Sequence, residues 1–246
     1  GLLTNLALVI SDERRAKRLY ERVNRTVFSD AVFFAADKVL RKLCRPTATG
    51  FRDLVKNHPI DDDAAYAYFV VGWMGRSGVA GTTAEGSGTA IRWTATGGSS
   101  AARWRTAGGS IPHWHQRIRN WDIRRGCAIE AAGKTGDEKG RVILGDPPYW
   151  DHQFRYVYEF RKSIPDSDCR LEREYGDHAR LAKAFGRFTK AKVVVCYYEC
   201  AAVDALYPKD RWRRVYVEAP RKMGNAQARD RKVGTTSAPE ILLVNR

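Results

Sequence analysis

Asp146-Pro147-Pro148-Tyr149-Trp150 follows directly on an apolar run, RVILG, at Arg141 to Gly145. It brings a carboxylate, a rigidly held carbonyl and an aromatic ring into neighbouring positions. Pro147 and Pro148 restrict φ and have no backbone N–H, so the Pro147 carbonyl is held as a second acceptor beside the Asp146 carboxylate. Two acceptors of this kind suit the amino group of a purine. That nitrogen is a poor nucleophile because its lone pair is delocalised into the ring. Acceptors aimed at its two hydrogens favour a pyramidal, more reactive nitrogen while a bond to carbon forms. Tyr149 can stack on the same ring. A base inside a duplex cannot reach such a pocket and has to be flipped out, and an aromatic face returns about 1–3 kcal/mol of the lost stacking.

The elements around the motif are consistent with such a site. RVILG reads as a strand, Asp177 to Phe188 as a helix, AKVVVCY (191–197) as a strand, and Glu199 to Leu206 as a helix. Arg213 to Glu218 and Glu240 to Asn245 read as further strands. Alternating strands and helices predict a mainly parallel sheet covered on both faces. In such sheets ligands bind at the carboxyl ends of strands, where Asp146 stands.

The part before this is different. Ser11 with Asp12 and Glu13 predicts a capped helix carrying Leu19 and Val23 at helical spacing. Ser29 predicts a second helix, with Val32, Ala36, Val39, Leu40 and Leu43 on one face. Asp61 to Met74 predicts a third, with Tyr66, Phe69, Val70 and Trp73 behind three aspartates. From Gly75 to Ser110 the sequence is rich in Gly, Ser and Thr, which excludes a long helix. TAIRWTAT (89–96), Gly97-Gly98 and AARWRT (101–106) predict a basic, Trp-bearing hairpin at about 89–106. A short helix, SIPHWHQRIRNW, follows it.

The 246-residue chain carries 43 Lys and Arg against 28 Asp and Glu, a formal charge of +15, which points first to a nucleic-acid partner. No apolar run approaches the roughly 18 residues that span a bilayer. Five cysteines, Cys44, Cys127, Cys169, Cys196 and Cys200, form no CxxC pair, which fits a reducing compartment and neither a disulfide frame nor a zinc site. His113 and His115 flank Trp114 at a spacing that does not bring two ligands together on a helix, so no metal is expected there. Leu2 to Ile10 already reads as structured apolar sequence, and a further segment upstream is expected.

These residues resemble the Dam-like DNA adenine methyltransferases of bacteria and phages, whose signature is DPPY. The likeness extends from about Leu19 to Arg246 through IRWTATGGSSAARWR, SIPHWHQRI, DHARLAKAF, AKVVVCYYECAAVDALYP and APEILLVNR. It implies an α/β fold: a partial Rossmann-like class I methyltransferase sheet with a helical DNA-recognition region and β-hairpin. Residues 1–115 would form that target-recognition region, and 116–246 the C-terminal part of the catalytic domain. The resemblance implies methyl transfer from S-adenosylmethionine to the 6-amino group of a flipped adenine, without a metal or a covalent enzyme intermediate. Asp146, Pro147, Pro148 and Tyr149 would hold the adenine, with Asp146, Gly126 and Cys127 near the cofactor.

Arg76, Arg92, Arg103 and Arg105 would contact double-stranded DNA, with strand-face arginines as the plainer alternative for the hairpin residues. The expected setting is the cytoplasm of a bacterial cell or a phage-infected host, as a monomer, and the resemblance admits a restriction endonuclease counterpart. The chain departs from the family in two places. It has no glycine-rich cofactor loop between a strand and a helix, and Gly126 stands where the family commonly has an aspartate. A catalytically silent DNA-binding remnant is therefore the alternative reading.

Overall fold

The computed structural model describes residues 1–46, 52–54, 59–75, 89, 99–124, 126–150, 163–219 and 238–246. The chain divides into two compact units, Gly1–Arg125 and Gly126–Arg246, so the first continues past the expected boundary at residue 115.

The first unit is mainly helical, with α1 (Leu2–Ser11), α2 (Glu13–Arg25), α3 (Asp30–Leu43), α4 (Asp62–Met74), α5 (Ser100–Gly109) and α6 (Ile111–Ile118). A short antiparallel pair, β1 (Cys44–Pro46) and β2 (Arg52–Leu54), adjoins α3. Capping residues set the helix starts. The Asp12 carboxylate accepts from Arg15 N at 2.8 Å and begins α2, while Ser11, the expected cap, ends α1 and donates to the Leu8 carbonyl. Asp61 caps α4 by accepting from Ala64 N at 2.8 Å, and Ser29 accepts from Val32 N ahead of α3. Val9, Val23, Phe33, Leu40, Val70 and Met74 close the core, whereas Trp73, expected inside, is 48% exposed. Buried Asn5 locks α1 to the start of α4 by exchanging two hydrogen bonds with the backbone of Asp61, at 2.8 and 2.9 Å. Arg15 and Arg18 pair with Asp62, and Arg22 with Asp63, so three cations of α2 are held in pairs with α4.

The return strand expected at 101–106 is instead the first part of α5. Ser99 starts it by accepting from Ala102 N, and Trp104, Ala107 and Gly108 turn inward, followed by Ile111 at the start of α6. The spacing i, i+3, i+4, i+7 is that of one helical face, and burying it outweighs the local alternation that suggests a strand. Of the expected first strand only Thr89 is described, bridged to Gly75. The remainder of 89–96 and the turn at Gly97-Gly98 lie outside the described residues, as does the basic stretch from Arg221 to Lys232.

The second unit contains α7 (Ala128–Lys134), β3 (Val142–Gly145), α8 (Arg170–Phe185), β4 (Lys192–Tyr198), α9 (Ala201–Leu206), β5 (Trp212–Ala219) and β6 (Ala238–Asn245). It is an α/β unit around a four-stranded mixed sheet of order β3-β4-β6-β5. β3 and β4 are parallel, while β6 is antiparallel to both β4 and β5. Among the described strands β3, β4 and β5 thus run in one direction, as expected of a mainly parallel sheet, and β6 enters between β4 and β5 in the opposite direction. Helix α8 breaks at Gly176, where φ is +56°, a conformation that favours glycine, so its second part starts at Asp177 as expected and ends at Phe185, short of the expected Phe188.

On one face Val193, Val195, Tyr197, Ile241 and Leu243 are buried under Ala132, Leu181, Phe185 and Val203 from the helices. Side chains alternate along a strand. On the opposite face Val142 and Leu144 are each 69% exposed, so among the described residues that face is not covered at β3, contrary to the expectation of two covered faces. Asn245 is buried at the end of β6. It accepts from Val193 N and donates to the Phe188 and Ala191 carbonyls, fixing the α8–β4 turn. Among the described residues no helix is long and apolar enough to cross a membrane.

Candidate functional site

The chain reaches Asp146 through a strand whose end is closely packed. Gly145 pairs with Val195 in β4, and a Cβ on it would lie 2.6 Å from Cε2 of Phe185 in α8. Glycine lets β3 come this close to α8 without displacing the Phe185 ring. The start of β3 is fixed by Lys192 N donating to the Arg141 carbonyl. It is fixed again by Asp137, whose carboxylate accepts from the backbone of Ala191, Thr189 and Lys190 and from the Thr189 hydroxyl. Those donors, Ala191 first, hold the Asp137 carboxyl well below its ordinary value of 3.8.

Beyond Gly145 the motif leaves the sheet. Asp146 is exposed, Pro147 is buried, and Pro148, Tyr149 and Trp150 are half-buried. The carboxylate therefore faces solvent while the proline behind it anchors the turn. The Tyr149 hydroxyl donates to Glu240 Oε1 at 2.6 Å. Its ring meets Tyr198 edge to face at a centroid distance of 4.4 Å and Tyr197 at 6.1 Å. Burial pushes the Tyr149 phenol well above its ordinary value, and the Glu240 carboxylate adds to this, so the hydroxyl remains a donor at neutral pH. Burial likewise raises the Cys196 thiol, with Asp146 and Glu240 adding negative potential.

Trp150 extends the motif into an aromatic layer. Its ring stands edge to face on Tyr175 and on His178, at 5.4 and 5.2 Å. His178 is buried, with Nδ1 2.8 Å from the Tyr197 hydroxyl, and Tyr197 stacks on towards Tyr207 and Trp212. Burial raises the Tyr197 and Tyr207 phenols. Glu240, Tyr198, Tyr197 and His178 were not among the residues that sequence reasoning singled out for this site. Each lies far along the chain and reads locally as ordinary strand or helix sequence.

Gly126 and Cys127 are both exposed at the start of α7, where the Cys127 carbonyl accepts from Ala131 N. Neither shares a hydrogen bond with the motif among the described residues. In the first unit Arg103 and Arg105 are exposed on α5, on either side of the buried Trp104. Arg76 and Arg92 lie outside the described residues. His115 serves packing, with Nδ1 2.8 Å from the Ile10 carbonyl. Among the described residues no group of three or more His, Cys, Asp or Glu could hold a metal ion.

No protein-family model matches the chain, and a search of curated proteins gives no match either.

Asp146 brings an exposed carboxylate to the end of β3, and Tyr149 an aromatic ring held by Glu240 and Tyr198. Among the described strands β3, which carries them, pairs with β4, and its side chains Val142 and Leu144 are exposed.

Proposed function

We propose that the chain is part of a site-specific DNA adenine methyltransferase, and that its own residues receive the flipped adenine. The carrying observation is the DPPY motif at the carboxyl end of β3, with its aromatic ring anchored by Glu240 and Tyr198. Asp146 is exposed and available to accept from the adenine amino group, with the Pro147 carbonyl as the second acceptor. These interactions strengthen as the nitrogen gains positive character, so they act on the transfer step more than on binding. Tyr149 offers the face on which the extruded base stacks.

S-adenosylmethionine would supply the methyl group to this nitrogen, in keeping with the family resemblance. A mixed sheet with a parallel β3–β4 pair and helices on one face is compatible with the closing part of a Rossmann-like methyltransferase sheet. The charge of +15 suits double-stranded DNA, and Arg103 and Arg105 on α5 are the described candidates for its contacts. The same reading carries a monomer acting in the cytoplasm of a bacterium or of a phage-infected host, with or without a restriction endonuclease counterpart.

A second reading, a DNA-binding remnant without catalytic activity, is favoured by Gly126, which stands where the resembled family commonly has an aspartate. One experiment separates the two. The chain is incubated with S-adenosyl-L-methionine labelled in its methyl group and with DNA from a host lacking adenine methylation, and the nucleosides are then analysed. Label in N6-methyladenine that is lost in Asp146→Ala, with DNA affinity retained, supports the enzyme. DNA binding with neither methyl transfer nor binding of S-adenosylmethionine supports the remnant.

A further inference from the structure

We infer that Glu240 and Tyr198 form a built-in cradle that sets the plane of the Tyr149 ring for the acceptor base, which makes both of them positioning residues. The inference rests on the adenine-methyltransferase reading for what the ring receives, and on geometry alone for how the ring is held. Glu240 and Tyr198 are direct cross-strand partners in the β4–β6 pair. Both anchors of Tyr149 therefore come from one rung of the sheet, although residues 149 and 240 are 91 positions apart.

The two contacts restrain different motions. The 2.6 Å hydrogen bond from the hydroxyl to Glu240 Oε1 fixes the far end of the ring and so limits rotation about χ1. The edge-to-face contact with Tyr198, at 4.4 Å and 77°, fixes rotation about the ring axis. A tyrosine side chain has only these two torsions, so the pair determines where its stacking face points. Glu240 is itself fixed in place, because it is paired with Val217 of β5 on its other side.

A ring set in advance spares the flipped base the cost of ordering it, and misplacement of about 1 Å at a reacting centre costs up to about a hundredfold in rate. Glu240→Ala is therefore expected to lower methyl transfer by about tenfold to a hundredfold while DNA affinity stays within about twofold. Glu240→Gln keeps an acceptor oxygen at the same position and is expected to retain most of the rate. Tyr149→Phe removes the donor, so Glu240→Ala added to it should cost little more.

The test pairs this kinetic series with NMR of the chain labelled at tyrosine Cζ, the Tyr149 resonance being assigned by its loss in Tyr149→Phe. Support is a Tyr149 resonance that moves in Glu240→Ala, stays near its position in Glu240→Gln, and is accompanied by the expected loss of transfer. A Tyr149 resonance unchanged in Glu240→Ala overturns the inference, and so does a moved resonance with full methyl transfer. If the resonance moves but the unaltered chain transfers no methyl group to DNA, the anchor stands as geometry. The methyltransferase reading then fails, and with it the role assigned to the anchor.

Discussion

Trp104 donates its indole N–H to the backbone carbonyl of Thr26 at 2.9 Å, bridging 78 positions and tying α5 to the end of α2. The same ring meets Phe69 of α4 edge to face at 5.6 Å. Its neighbours Arg103 and Arg105 are exposed to solvent. Three consecutive residues thus divide between core and surface.

The division separates stability from binding. Trp104→Ala should destabilise the first unit by about 3–5 kcal/mol, the range for removing a buried aromatic side chain. Arg103→Ala should change stability by no more than about 0.5 kcal/mol while weakening DNA binding. Denaturant unfolding of the two variants beside a DNA titration checks both. Comparable losses of stability would make Arg103 structural and remove it as a DNA contact.

Binding to duplex DNA should weaken steeply with salt, because a chain of charge +15 releases condensed counterions when it binds. Between about 50 and about 200 mM salt the affinity should fall by at least about a hundredfold. Titrations at several salt concentrations give the slope. A flat dependence would contradict a phosphate-dominated interface.

Gly145→Ala should cost about 1–3 kcal/mol, the usual penalty of overpacking, since the new Cβ would meet Phe185 at 2.6 Å. The substitution adjoins Asp146, so methyl transfer should fall along with stability. Thermal and chemical unfolding measure the first effect and labelled transfer the second. A variant as stable as the parent would mean that the Phe185 ring yields to the added methyl group without cost.

Asp137 makes the stability of the second unit depend on pH. Its folded value is depressed, so its stabilising contribution is fully present above the ordinary value of 3.8 and is lost as pH falls below it. Asp137→Ala should therefore lower Tm clearly at pH 7, and the gap from the parent should narrow as the pH is taken below that value. Melting curves across this range check the sign. A gap that widens in acid would exclude the proposed clamp on Thr189, Lys190 and Ala191.

Much of this protein was legible from the chain alone. The apolar runs at Arg141–Gly145 and Ala191–Tyr197 identified strands that the fold places at Val142–Gly145 and Lys192–Tyr198, and Ser29 and Asp61 marked helix starts, because these signals act over a few residues. Asp146 to Tyr149 declared a possible chemistry by residue type and order. Helix α5 was harder to read. AARWRT alternates like a strand, and the helical face becomes visible only when Ala107, Gly108 and Ile111 are counted with Trp104. What the ring of Tyr149 touches could not be read in this way at all. Glu240 reaches it only because β6 enters antiparallel between β4 and β5, with Glu240 opposite Tyr198. Strand order and register depend on how whole faces are buried, and no local stretch of sequence carries that information.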